Sequence, residues 1–219
     1  MTPNIDNAAI RAMETLITYG ISSAPIDPIA ILKRRHDVMV MSFTEMSYQC
    51  GMERNTLISR FGVENQDAIT YVKQLEGRLV YVILYNQRLP FYMIQRGLAR
   101  ELGHIVLEHD GSRPEEVRAY EAQIFAYHLL CPRPLIRAIK DSNIRFSIEV
   151  LGNTTGCYEM CLTGMRHTPG ANVPPEINRK VREQFADYIR NFVDFMSLIQ
   201  SNDMSVLADF GTYMDNYEE

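Results

Sequence analysis

The sequence predicts an α+β fold, a small antiparallel sheet followed by packed helices, on three observations. Two runs rich in Val, Ile and Tyr, Ala68–Leu75 and Arg78–Tyr85, are separated only by Glu76 and Gly77, the pattern of a hairpin closed by a tight turn. On both sides of that pair apolar residues recur at helical spacing, as at Ala9, Met13, Leu16 and Ile17 and again at Ile177, Val181, Phe185, Tyr188 and Phe192. Hydrophobic residues make up 46% of the 219, enough for one sizeable core.

The elements follow in order. Residues 6–19 carry the first helical stripe. Asp27-Pro28 opens a second helix, because aspartate caps a helix start and proline suits its first turn. Residues 38–43 read as a strand, and residues 46–61 are ambiguous because Gly51 weakens a helix there. After the hairpin, Pro90 opens a long helix reaching His109, with Gly111 as its stop. Ser112 and Glu115 have the spacing of a capping box for a helix to Leu130, which Cys131-Pro132-Arg133-Pro134 breaks. Short helices are expected over 134–140, 147–151 and 158–165. A linker then covers 167–175, and one long amphipathic helix runs over 176–200.

Charge and composition exclude several roles. The net charge is −5, from 22 Lys+Arg against 27 Asp+Glu, so a broad nucleic-acid surface is not expected. The longest apolar run, 79–85, is too short to span a bilayer. Residues 1–7 carry no basic region and no apolar stretch follows, so a cytoplasmic protein is expected. Its cysteines Cys50, Cys131, Cys157 and Cys161 are then expected as thiols.

The segment Ala99-Arg100-Glu101-Leu102-Gly103-His104 bears on chemistry. A zinc-peptidase helix needs two histidines four residues apart, one turn apart on one face, with a glutamate after the first as the base for zinc-bound water. Here Glu101 fills the base position and His104 the second ligand position. Arg100 stands where the first histidine belongs, and a guanidinium is protonated and does not ligate zinc. Alone, Glu-x-x-His is what many solvated helix faces show.

The downstream block Glu121-Ala122-Gln123-Ile124-Phe125-Ala126-Tyr127-His128-Leu129-Leu130-Cys131-Pro132 is more specific. Hairpin, helix motif and this block together resemble the ImmA/IrrE family of zincin-like metallopeptidases, over about residues 25–132. The resemblance implies a zincin-like domain at 1–132 with a helical C-terminal region at 133–219. It implies Glu101 as catalytic base, His104 and Glu121 as zinc ligands, and a helix-turn-helix repressor, of the kind carried by mobile elements, as substrate or partner.

Arg100 divides the expectations. In the first, its guanidinium replaces the metal's charge by pairing with Glu121, Glu101 or both, zinc is absent or weakly bound, and the chain binds a partner without cutting it. In the second, His128 or Glu108 supplies the missing ligand and the peptidase is active. His109, about 140° around a continuous helix from His104, is a poor co-ligand and is better placed beside the helix C-terminal dipole.

Remaining features have simpler readings. Cys157 and Cys161, near His167, lack a usual zinc spacing and fit buried thiols. A helix-turn-helix around 152–156 would present 158–165, which has no Lys or Arg until its end, so direct DNA contact is not expected. Tyr71, Tyr81 and Tyr85 are sheet-face residues, and an edge strand beside the motif helix would be able to pair with an extended peptide.

Overall fold

The computed structural model describes residues 2–61, 66–142, 150, 152 and 170–200. The architecture is α+β, with a three-stranded sheet and packed helices. Helix α1 spans Ile5–Thr18 and α2 spans Pro28–Lys33, where the Asp27 side chain accepts from the Ile29 amide as its sequence predicts. Strand β1 is Val38–Ser42. The ambiguous stretch after it resolves into two helices, α3 (Phe43–Cys50) and α4 (Arg54–Phe61). Ser42 and Glu45 form a capping box at the start of α3, and Gly51 ends it at φ 62°, a left-handed conformation that glycine adopts at little cost.

Strands β2 (Ala68–Leu75) and β3 (Arg78–Tyr85) form the expected hairpin, with positive φ at both Glu76 and Gly77. The sheet itself is mixed rather than purely antiparallel. Its order is β1-β3-β2, with β1 running parallel to β3 from Val38↔Tyr81 to Ser42↔Tyr85. Both faces are covered at the end of the hairpin away from its turn. Ala68, Ile83, Val38 and Val40 join the main core, while Met41, Leu84, Ile69 and Val82 pack with Phe43 and Ile58 in a second cluster. This two-sided burial explains why β3 reads as a nearly continuous apolar run.

Helices α5 (Phe91–Val106) and α6 (Glu115–Leu130) pack antiparallel, so that Gly103 faces the Phe125 ring and His109 meets Glu121. Gly97 marks the contact of α5 with the sheet: a Cβ there would lie 2.6 Å from the Cβ of Asp67. The capping box expected at Ser112 does not form. Pro114 occupies the N-cap of α6, and Ser112 bonds to the Asp110 carboxylate instead.

Helix α7 is Arg133–Lys140. The single long helix expected at the end is two, α8 (Pro175–Gln184) and α9 (Ala186–Gln200), interrupted at fully buried Phe185. Beside the break the Gln184 side-chain amide donates to the carbonyls of Leu16 and Ile21. Leu135 and Ile139 of α7, Val181 of α8 and Phe192 of α9 share one core with α1, α5 and α6. The short helices expected at 147–151 and 158–165, with Cys157, Cys161 and His167, lie outside the described residues apart from Val150. Among the described residues no helix is long and apolar enough to cross a membrane, and Cys50 is a free thiol.

Candidate functional site

Helix α5 delivers the motif. Its open stripe is Tyr92, Arg96, Arg100 and His104, each one turn beyond the last, while Leu98, Ala99, Glu101 and Leu102 are buried. Glu101 turns under the sheet edge, where the Thr70 hydroxyl donates to its Oε2 at 2.7 Å. Burial pushes the Glu101 pKa up, against the opposing pull of the Thr70 hydrogen bonds and the nearby Arg100 charge. Thr70 carried no sequence signal for this role, because the strand's register places it there.

The C-terminus of α5 departs from expectation. The helix ends at Val106, and Glu108 adopts a left-handed φ of 53°. The His109 amide donates to the His104 carbonyl at 3.0 Å and the Glu108 amide to Ile105 at 3.1 Å, the two bonds of a Schellman closure. The 140° separation of a continuous helix therefore does not apply. The reversal folds His109 back, with its Nδ1 2.9 Å from His104 Nδ1 and its Nε2 2.9 Å from Glu121 Oε2. Sequence reasoning set His109 aside because this turn places a glutamate where glycine usually signals it.

Glu121 is almost fully buried and has four donor contacts. The Asn4 backbone amide donates to Oε1 at 2.7 Å, at the N-terminus of α1, where a carboxylate is favoured. Arg113 Nη1 lies 3.2 Å from Oε1 and 3.1 Å from Oε2, and His109 reaches Oε2.

Proton bookkeeping follows from these contacts. Burial lowers the pKa of both histidines, that of His104 to about 4 by desolvation with the charges of His109, Arg100 and Arg118 adding to it. Neutral His109 donates from Nε2 to the carboxylate, so its Nδ1 accepts from His104 Nδ1–H. The lone pair of His104 is then on Nε2.

The sequence-derived candidates divide accordingly. Structure brings His104 and Glu121 into one network through His109 and leaves Glu101 one turn away on the sheet side. The expected pairing of Arg100 with Glu101 or Glu121 is not present among the described residues; Arg113 is the cation on Glu121. Arg113 comes from the loop at residues 107–114, a tertiary placement with no periodic signature. His128 is buried within α6, its Nδ1 without a hydrogen-bond partner among the described residues, and its pKa is lowered to about 4 by burial and Arg133. Glu108 is exposed and lines a cleft with Arg11, Arg35 and Lys180.

A zinc ion is what the motif would ordinarily imply, and the residues present do not fit one. A guanidinium stands in the first ligand position, and both oxygens of Glu121 already accept from protein donors. Among the described residues no three His, Cys, Asp or Glu side chains form a group able to hold a metal.

Comparison with known proteins places this geometry. No curated protein and no solved structure matches the chain. A peptidase family model, described as the IrrE N-terminal-like domain, matches residues 52–148. That stretch holds Thr70, Arg100, Glu101, His104, His109, Arg113 and Glu121, whereas α1 and β1 lie before it. Residues 52–148 therefore form an IrrE N-terminal-like domain, the peptidase-like domain of the ImmA/IrrE family.

Proposed function

We propose that this chain is a family member that binds a protein partner, a helix-turn-helix repressor, without cutting it. The observation that carries the reading is the occupancy of Glu121. Its oxygens are taken up by Arg113, His109 and the Asn4 amide, while Arg100 stands in the first ligand position. A peptidase of this kind needs an open metal position to polarise a carbonyl and lower the pKa of water. Here Arg113 neutralises the carboxylate instead, and Glu101, held by Thr70 with a raised pKa, keeps its proton to higher pH than an exposed carboxyl group.

Zinc analysis of protein purified without chelator tests this reading beside an incubation with the helix-turn-helix repressor encoded nearest to it. The expected result is well under one zinc per chain and a complex in which the repressor stays intact. One zinc per chain, lost in both His104→Ala and Glu121→Ala, together with a cut repressor, overturns it.

A further inference from the structure

Successive residues of the turn after α5 serve different surroundings. His109 bonds to Glu121, whereas Glu108, the left-handed residue before it, lines a cleft of about 440 Å³. That volume falls within the roughly 300–1,000 Å³ of small-molecule sites. Four segments build the cleft: α1 with Tyr19 at its end, Arg35 after α2, the end of α5 with its turn, and α8. Three of the four lie outside residues 52–148, so most of this cleft is not part of the peptidase-like domain.

Five charged side chains line it, and three are already engaged. Arg11 meets Glu14 at 3.2 Å and places Nη2 3.3 Å from the Val106 carbonyl, which ties α1 to the end of α5. Arg35 donates to both oxygens of Asp37, at 3.0 and 2.7 Å. The side chains of Lys180 and Glu108 form no ion pair or hydrogen bond among the described residues, with each other or with a third group. The lining also includes Ile17, Val106 and Ile177, half-buried residues packed against the main core. The cleft thus joins an apolar wall to one free cation and one free anion carried by separate elements.

We infer that this cleft binds a small zwitterion with an apolar side chain, a free amino acid or a short peptide with both ends unblocked. Its ammonium group is taken by Glu108 and its carboxylate by Lys180, while its side chain covers Ile17, Val106 and Ile177. A ligand of one sign would leave the other free charge unanswered, whereas a zwitterion makes a charge-assisted contact with each. A purely anionic ligand is the poorer occupant, because Arg11 and Arg35 already face carboxylates and Glu14 and Glu108 repel it. Binding here does not depend on whether the Glu121 site cuts a partner.

Titration calorimetry on the full chain tests this with leucine and Leu-Leu, each with free ends, with an acetylated amine and with an amidated carboxyl group. At least one free-ended form is expected to bind with a submillimolar Kd, and blocking either end to weaken it roughly tenfold. Whichever of the two binds more tightly gives the source, amino acid or peptide. Glu108→Gln is expected to remove the penalty for acetylation and keep that for amidation, and Lys180→Gln to do the reverse. Both side chains are exposed, so these substitutions leave the core intact. No binding of either free-ended form, equal binding of free and blocked forms, or penalties that neither variant moves overturns the inference. So does inorganic phosphate binding as tightly as the free-ended ligand.

Discussion

Arg113 rests one guanidinium nitrogen 3.2 and 3.1 Å from the two oxygens of Glu121, across the turn that joins α5 to α6. The arginine side chain is 45% exposed and the glutamate 3%, so solvent screens one partner only. Urea unfolding of Arg113→Met, Glu121→Gln and the double variant is expected to give a coupling of about 1 kcal/mol. Glu121→Ala, which strands the Asn4 amide and His109 as well, is expected to cost about 3 kcal/mol. Chelator is expected to leave the wild-type midpoint unchanged.

Glu101 yields a prediction of opposite sign. Its pKa is raised above the ordinary 4.5 by burial. A raised carboxylate contributes stability below the unfolded pKa, and loses it as pH rises through the folded value. Glu101→Gln keeps an acceptor for Thr70 and cannot ionise. It is therefore expected to be more stable than wild type at pH 8, with the gap closing toward pH 4. Urea midpoints across that range decide it, and a Gln variant that is less stable at pH 8 refutes the assignment.

His128 titrates in the other direction. Its folded pKa lies near 4 against 6.5 when unfolded, so the unfolded chain binds the extra proton between those values. Stability is lost as pH falls from about 6.5 to about 4, by about 3 kcal/mol for this group. His128→Leu removes a buried ring nitrogen that has no partner among the described residues and is expected to flatten that part of the pH–stability curve. Thermal midpoints at pH 7 and pH 5 for both proteins measure the difference.

Gly97 tests the helix–sheet seam. An added Cβ meets the Asp67 Cβ at 2.6 Å and the Ala68 backbone nitrogen at 3.3 Å, so one element has to shift. Gly97→Ala is expected to destabilise by about 2 kcal/mol despite the better helix propensity of alanine. The same displacement should weaken the Thr70–Glu101 hydrogen bond, read as a downfield-shifted hydroxyl proton that disappears.

The parts legible in the sequence were those fixed by neighbours along the chain. Glu76-Gly77 between two β-rich runs identified the hairpin to the residue, and Asp27-Pro28 identified the start of α2. The block around Glu121 located the domain family. What escaped notice depends on contacts between distant segments or on one unusual dihedral. The parallel pairing of β1 leaves no local trace, and Phe185 breaks the last helix where α1 offers carbonyls to Gln184. Arg113 and the Asn4 amide reach Glu121 through tertiary packing alone. His109 was placed about 140° away from His104 because Glu108, without glycine's freedom, still turns left-handed and folds it back.

That loop has a further consequence. Residues 107–114 carry both His109 and Arg113, so the two side chains gripping Glu121 move with one short connection. Giving the helix back its histidine by Arg100→His would supply a donor while the carboxylate stayed spoken for. On the proposed metal-free reading, zinc affinity would require a second key, such as Arg113→Met, turned at the same time. In that reading the site is a double lock, which a change of one codon does not open.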